Sequence, residues 1–162
     1  MLKWTAVELA QGAVLFVKAE GDALRGAVFG KDKAALPAGW REDDRDDGDQ
    51  LLREAAKELR DYMAGKRRVF CLPFELDGTG FQCRVWAELT KIPFGELSTY
   101  AGIAKALGQP RASRAVGAAI AKNPLPVIVP CHRVIASDGT LAGYSGGIGV
   151  KRLLLRREGI EL

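Results

Sequence analysis

The chain has 162 residues, 48% hydrophobic and 27% charged, a balance that supports a buried core and excludes a disordered chain. No stretch reads as a signal peptide or a membrane span, so a cytoplasmic protein is expected. Three cysteines without a CxxC pair speak against a disulfide framework, and the single histidine, His132, excludes two-histidine zinc sites and two-histidine catalysis.

Net charge is +4, unevenly spread: residues 1–75 carry 13 basic and 14 acidic side chains, residues 76–162 carry 11 and 6. A basic second half suits an anionic partner such as nucleic acid. The first half reads as mixed α/β. The runs AVLFVKAEG and ALRGAVFG, parted by a Gly-Asp turn, predict a β-hairpin. The charged stretch from Arg41 to Asp49 reads as a solvated loop. Leu51, Leu52, Ala55, Leu59 and Tyr62 recur at helical spacing, with Gly65 as the stop. Residues 69–76 (VFCLPFEL) read as an edge strand because of Pro73, with Cys71 in the core.

Past residue 76 the pattern turns helical. Thr79 is placed to cap a helix through Phe81, Val85, Trp86 and Leu89 that ends near Ile92-Pro93 and Gly95, with Cys83 packed or inert. Ser98 or Thr99 caps a short helix closed by Gly108, and a second helix, ASRAVGAAIAK, stops at Asn123-Pro124. Two short helices joined by a tight turn suit a helix-turn-helix; two core helices with a short connection suit the pattern equally well. The second helix is rich in small residues: Ala112, Ala115, Gly117, Ala118, Ala119 and Ala121. Glycine in a helix costs about 1 kcal/mol relative to alanine, so Gly117 asks for a reason such as close approach to another surface. The DNA minor groove, only about 6 Å wide, is such a surface, and Arg114 beside it suits a probe of the base stack. The last helix, Val150 to about Arg157, is amphipathic with Leu153 and Leu154 as anchors.

Chemistry concentrates in Pro130-Cys131-His132-Arg133, which follows an apolar run from Leu125 to Val129 read as a strand. A thiolate is the nucleophile in cysteine chemistry, and an adjacent imidazole can take its proton. A buried structural cysteine beside a chance histidine is the plainer reading of such a pair.

The segment NPLPVIVPCHRVIASDG followed by YSGG resembles the active-site signature of the O6-alkylguanine-DNA alkyltransferases, the methylated-DNA–protein-cysteine methyltransferases. The resemblance spans about residues 78–159. It implies an α+β fold, a small α/β N-terminal domain (1–75) followed by a mostly helical C-terminal domain (76–162) with a winged helix-turn-helix. It also implies stoichiometric, irreversible transfer of an alkyl group from O6-alkylguanine in duplex DNA, with O4-alkylthymine a further substrate to consider. Under this resemblance Cys131 is the acceptor, His132 its base through a bridging water, and Glu158 the acid that orients the histidine. Tyr100 donates to the leaving guanine, and the backbone of Val134, with that of Cys131, reads the exocyclic amine. Tyr144 and Ser145 close the pocket and Asn123 is a hinge. Arg114 enters the stack of flipped DNA, with Ala115, Gly117 and Ala118 against the minor groove. No cofactor or metal is implied, since no histidine is left for the zinc site of some relatives, and a monomer is expected. Gly143 stands where several relatives carry a larger polar residue. A regulator without chemistry, binding DNA or sensing damage, would leave the PCHR motif and Glu158 idle. A cysteine hydrolase would normally hold its cysteine and histidine far apart in sequence.

Overall fold

The computed structural model describes residues 1–162 and divides into two compact units, Met1–Leu76 and Asp77–Leu162. The first is a three-stranded antiparallel sheet in the order β1 (Leu2–Glu8), β2 (Val14–Glu20), β3 (Ala23–Gly30), with one helix, α1 (Gln50–Met63). The hairpin β2–β3 follows the sequence reading. Strand β1 does not appear in that reading, because its run LKWTAVE mixes polar and apolar residues without a clean period; its partner is β2, from Leu2↔Glu20 to Glu8↔Val14. Trp4, Val14 and Phe16 form a buried cluster with Ala6, Leu36 and Trp40 packed against it. Residues Leu15, Val17 and Ala19, of the opposite parity on β2, are also buried, and α1 packs against all three strands. Gly30 is required where it stands: a Cβ there would lie 2.4 Å from the Phe16 ring.

The acidic stretch after Arg41 is more ordered than a solvated loop. It contains a short 3-10 turn, Glu42–Asp44, and is bound to β1 along its length. The Trp4 indole donates to the Arg41 carbonyl at 2.6 Å, Thr5 Oγ1 donates to Asp47 at 2.7 Å, and Lys3 meets Asp49 at 2.9 Å. Asp49 also accepts from the Leu52 N–H as the N-cap of α1. Helix α1 buries Leu52, Ala55, Leu59 and Tyr62 as expected, with Ala56 and Met63 in addition.

Residues 69–76 form no strand. Only a single bridge joins Phe74 to Leu24, through Leu24 N–H to the Pro73 carbonyl at 2.9 Å and Glu75 N–H to the Leu24 carbonyl at 3.0 Å. The segment still alternates: Leu72, Phe74 and Leu76 turn inward, while Cys71, Pro73 and Glu75 are exposed. Cys71 is therefore at the surface, not in the core, because it shares its parity with Pro73.

The second unit holds four helices: α2 (Gly80–Thr90), α3 (Tyr100–Ala106), α4 (Ser113–Ala121) and α5 (Ile148–Arg157). Thr79 and Gln82 cap α2 reciprocally, a capping box, and Cys83 on this helix is exposed. Thr99 caps α3, and Gly108, at φ +73°, closes the turn that leads to α4. The Trp86 indole donates to the Ala119 carbonyl at 2.9 Å and ties α2 to α4. Two short strands, β4 (Ser98–Thr99) and β5 (Val134–Ile135), pair in parallel; no antiparallel wing follows α4. The buried face of α5 is Lys151, Leu154 and Leu155, so Leu155 replaces Leu153 as the second anchor and the face continues to buried Glu158. Those positions, i, i+3, i+4 and i+7, make one stripe along the helix.

Candidate active site

The site lies within the C-terminal unit, where α5 meets the segment after α4. The apolar run Leu125–Val129 is a tight turn, not a strand: Val127 has φ +74°, and the Val129 N–H donates to the Leu125 carbonyl at 2.9 Å. Asn123 holds this turn from both ends. Its Nδ2 donates to the Val129 carbonyl at 3.0 Å and its Oδ1 accepts from the Leu125 N–H at 3.1 Å. Cys131–Arg133 then form one turn of 3-10 helix, and all three side chains are buried. Successive side chains on such a turn diverge by about 120°, so Cys131 and His132 point to different surroundings although they are neighbours.

His132 is fully buried, and its Nε2 lies 2.7 Å from Glu158 Oε2. Burial lowers the imidazole's affinity for a proton, against the opposing pull of Glu158. Burial would raise the Glu158 carboxyl, but hydrogen bonds from His132 and Arg133 outweigh it and hold the group at about 2. An ionised carboxylate only accepts, so the neutral imidazole carries its proton on Nε2 and its lone pair on Nδ1.

Arg133 escapes sequence reasoning and is central here. Its Nε donates to Glu158 Oε1 at 2.8 Å and its Nη2 to Oε2 at 3.1 Å, a two-pronged grip. Nη1 donates to the Ile92 carbonyl at 2.7 Å, and the guanidinium lies 6.0 Å from the Phe94 ring centre. Gly95, at φ +81°, adds its N–H to Glu158 Oε1 at 3.0 Å. Glu158 thus receives four donors and is the hub of the cluster. Lys151, also missed, is buried on the same stripe of α5. The periodicity of α5 was the available signal, since a lysine at i+3 and i+4 spacing from Leu154 and Leu155 has to go inside with them.

Cys131 is 5% exposed. If His132 and Glu158 made the thiolate, as the resemblance implies, the thiol would ionise near or below neutrality. Burial instead pushes it up from its ordinary value, opposed by the Asn123 amide, the Lys151 charge and Tyr144. The resting group is a thiol, because a sulfur anion shielded from water is costly.

Half-buried Tyr100 opens α3, and burial, then the neighbouring Cys131, hold its phenol protonated above the ordinary range. Val134 is buried; its N–H caps the Cys131 turn and its carbonyl accepts from Lys151 at 2.7 Å. Tyr144 is half-buried and Ser145 exposed on the loop before α5. On α4, Arg114, Ala115, Ala118 and Ala121 are exposed, whereas Ala119 is buried and does not belong to the small outer face. A Cβ on Gly117 would sit 3.6 Å from the Tyr100 ring, so this glycine lies beside the tyrosine.

Residues 80–160 match the family described as 6-O-methylguanine DNA methyltransferase, DNA binding domain. The methylated-DNA–protein-cysteine methyltransferase of Methanosarcina barkeri is 46% identical over 129 residues, 80% of this chain and 78% of that protein. The chain belongs to this family. The constitutive family member of Bacillus subtilis is 49% identical over 111 residues, 68% of this chain and 67% of its own length. Among solved structures, the Mycobacterium tuberculosis O6-methylguanine methyltransferase superposes with a TM-score of 0.82 at 37% identity, covering 98% of this chain and 93% of that one. The same enzyme in complex with DNA also gives a TM-score of 0.82 at 37% identity, over 97% and 91% of the two chains. This family member is accordingly a mixed α/β protein.

Proposed function

We propose that this chain repairs DNA by moving a methyl or small alkyl group from O6 of guanine to Cys131, once per molecule and irreversibly. One observation carries the assignment of roles: Cys131 and His132 share one buried turn, and His132 is locked onto Glu158 at 2.7 Å. Neutral His132, with its lone pair on Nδ1, takes the thiol proton through a bridging water, and the sulfur attacks the alkyl carbon. The S–C bond forms as the C–O bond breaks. Glu158 stabilises the imidazolium that results, as an orienting carboxylate does in other proton relays. Tyr100 donates a hydrogen bond from its phenol to the ring nitrogen of the departing guanine, which lowers the charge on the leaving group. The carbonyls of Cys131 and Val134 read the exocyclic amine; each oxygen keeps a second lone pair after its present bond.

A stacked guanine cannot reach the sulfur of a cysteine that is 5% exposed, so the nucleotide leaves the duplex and enters the site. Helix α4, the second helix of a helix-turn-helix, lies along the minor groove with Ala115, Gly117 and Ala118 against it, and Arg114 fills the vacated stack. Asn123 links this helix to the Cys131 turn, and Tyr144 and Ser145 close over the alkylated oxygen. The protein acts as a monomer, and the N-terminal unit carries none of these groups.

Intact mass spectrometry after incubation with excess O6-methylguanine duplex tests the proposal. The expected result is a gain of one methyl group and no more, on the peptide containing Cys131, and none in Cys131→Ser. Repeated turnover, or a methyl group on Cys71 or Cys83, overturns it. No adduct alongside intact DNA binding would leave a regulator without chemistry.

A further inference from the structure

Lys151 is 1% exposed, on the buried stripe of α5 with Leu154 and Leu155. Its Nζ donates to the Val134 carbonyl at 2.7 Å, to the Leu141 carbonyl, and to the Gly143 carbonyl at 3.5 Å. No carboxylate is among these partners. A buried ammonium held only by carbonyl dipoles is costly, and a methionine or leucine would fill the same stripe without that cost. Two features explain the charge. The three carbonyls come from β5 and from the loop leading to Tyr144, so one side chain pins that loop against the strand. Val134 also caps the Cys131 turn through its N–H to the Cys131 carbonyl, so the residue that binds the ammonium is itself bonded to Cys131.

We propose that Lys151 is a positioning residue with two roles: it pins the 141–143 loop to β5, and it supplies the counter-charge for the Cys131 thiolate. The proposal deepens the alkyl-transfer reading and rests on it, since it gives the attacking anion its partner. The charge coupling runs both ways: the Lys151 charge favours the thiolate, and the thiolate favours the charged lysine against the burial that opposes it. The other groups that face Cys131 do not supply a cation. Tyr100 from α3 and Tyr144 from the loop are phenols, which have no cationic form, His132 is held neutral by burial, and the Arg133 charge is gripped by Glu158. Alkylation turns the thiolate into a neutral thioether and removes the partner of Lys151.

The test is the pH profile of Cys131 alkylation by iodoacetamide, followed by peptide mass, in the wild type, Lys151→Arg and Lys151→Met. In Lys151→Met the midpoint of the profile should rise by about one unit, which makes thiolate about tenfold scarcer near neutrality. Lys151→Arg should keep the wild-type midpoint even if its rate falls. A purely structural lysine would lower the rate equally at every pH, and an unmoved midpoint in Lys151→Met overturns the proposal. Should that variant fail to fold, the wild type suffices. In protein labelled with 13C-lysine, Lys151 should lose its proton at lower pH once Cys131 is carbamidomethylated, and identical titrations of the two forms overturn the counter-charge. Neither measurement uses DNA. Loss of the coupling with methyl transfer intact refutes Lys151 alone, whereas absence of methyl transfer in the wild type refutes the underlying function.

Discussion

In the N-terminal unit the ion pairs range from partly to largely exposed, and Lys57 meets Asp61 at 2.8 Å on the outer face of α1 with 70% of its side chain exposed. In the C-terminal unit, His132, Arg133, Lys151 and Glu158 are each at most 6% exposed, and the first two converge on Glu158. The first arrangement contributes little to stability, because solvent screens it and side-chain entropy opposes it. The second is costly to assemble and more costly to break. Folding alone does not call for four buried ionisable groups in an 86-residue unit, Asp77–Leu162. The contrast teaches that both units carry exposed ion pairs, while only the C-terminal unit also buries a cluster of charge.

The sharpest way to break this contrast is to remove one charge from each side. Glu158→Gln leaves the Arg133 guanidinium buried without its anion. It should cost about 3–5 kcal/mol in denaturant unfolding and slow methyl transfer by about a hundredfold or more. Lys57→Ala should cost less than about 1 kcal/mol and leave transfer unchanged. Equal losses in the two variants would show that burial is not what separates them.

Acid should act on the same side of the contrast. Glu158 ionises at about 2 in the fold against an ordinary 4.5, so its contribution is present above 4.5 and is lost as pH falls toward 2. His132 is held neutral by burial, so the unfolded chain takes up that proton first and stability begins to fall below about 6.5. Thermal scans from pH 7 to 3 should therefore show a continuous decline. The decline in Glu158→Gln should be shallower than in the wild type, and a wild-type curve flat to pH 4 would contradict both shifts.

The smallest expected effect tests the exposed face of α4 against the buried cluster. Arg114→Ala should slow repair several-fold on paired duplex, less on single strands, and little on free alkylated base, whose extrusion is already complete. A uniform loss on paired and unpaired DNA, with the salt dependence flattened by about one unit, would make Arg114 a phosphate contact only.

Local periodicity made much of the architecture legible. The β2–β3 hairpin, α1, the Thr79 cap and the paired helices α3 and α4 each depend on neighbours within a few residues. Strand β1 escapes the sequence reading because its run of mixed polarity becomes a strand only by pairing with β2. Cys71 was placed inside because its apolar neighbours suggest burial, whereas its parity with Pro73 puts it outside. The Leu125–Val129 run passed for a strand because an apolar run does not reveal a residue at positive φ, such as Val127.

The sequence by itself determined which reactive groups the chain offers: a unique histidine beside a cysteine in PCHR, a small-faced helix upstream, and an amphipathic helix downstream that ends in Glu158. Only the tertiary structure decided how those groups are wired. Arg133 grips Glu158 across 25 positions, Gly95 reaches the same carboxylate across 63, and Lys151 turns inward to carbonyls 8 to 17 residues away. It also decided that the Cys131 thiol is raised rather than lowered. The physical reason is common to all four: burial, partner and field are properties of what folds around a side chain, and sequence spacing carries none of them.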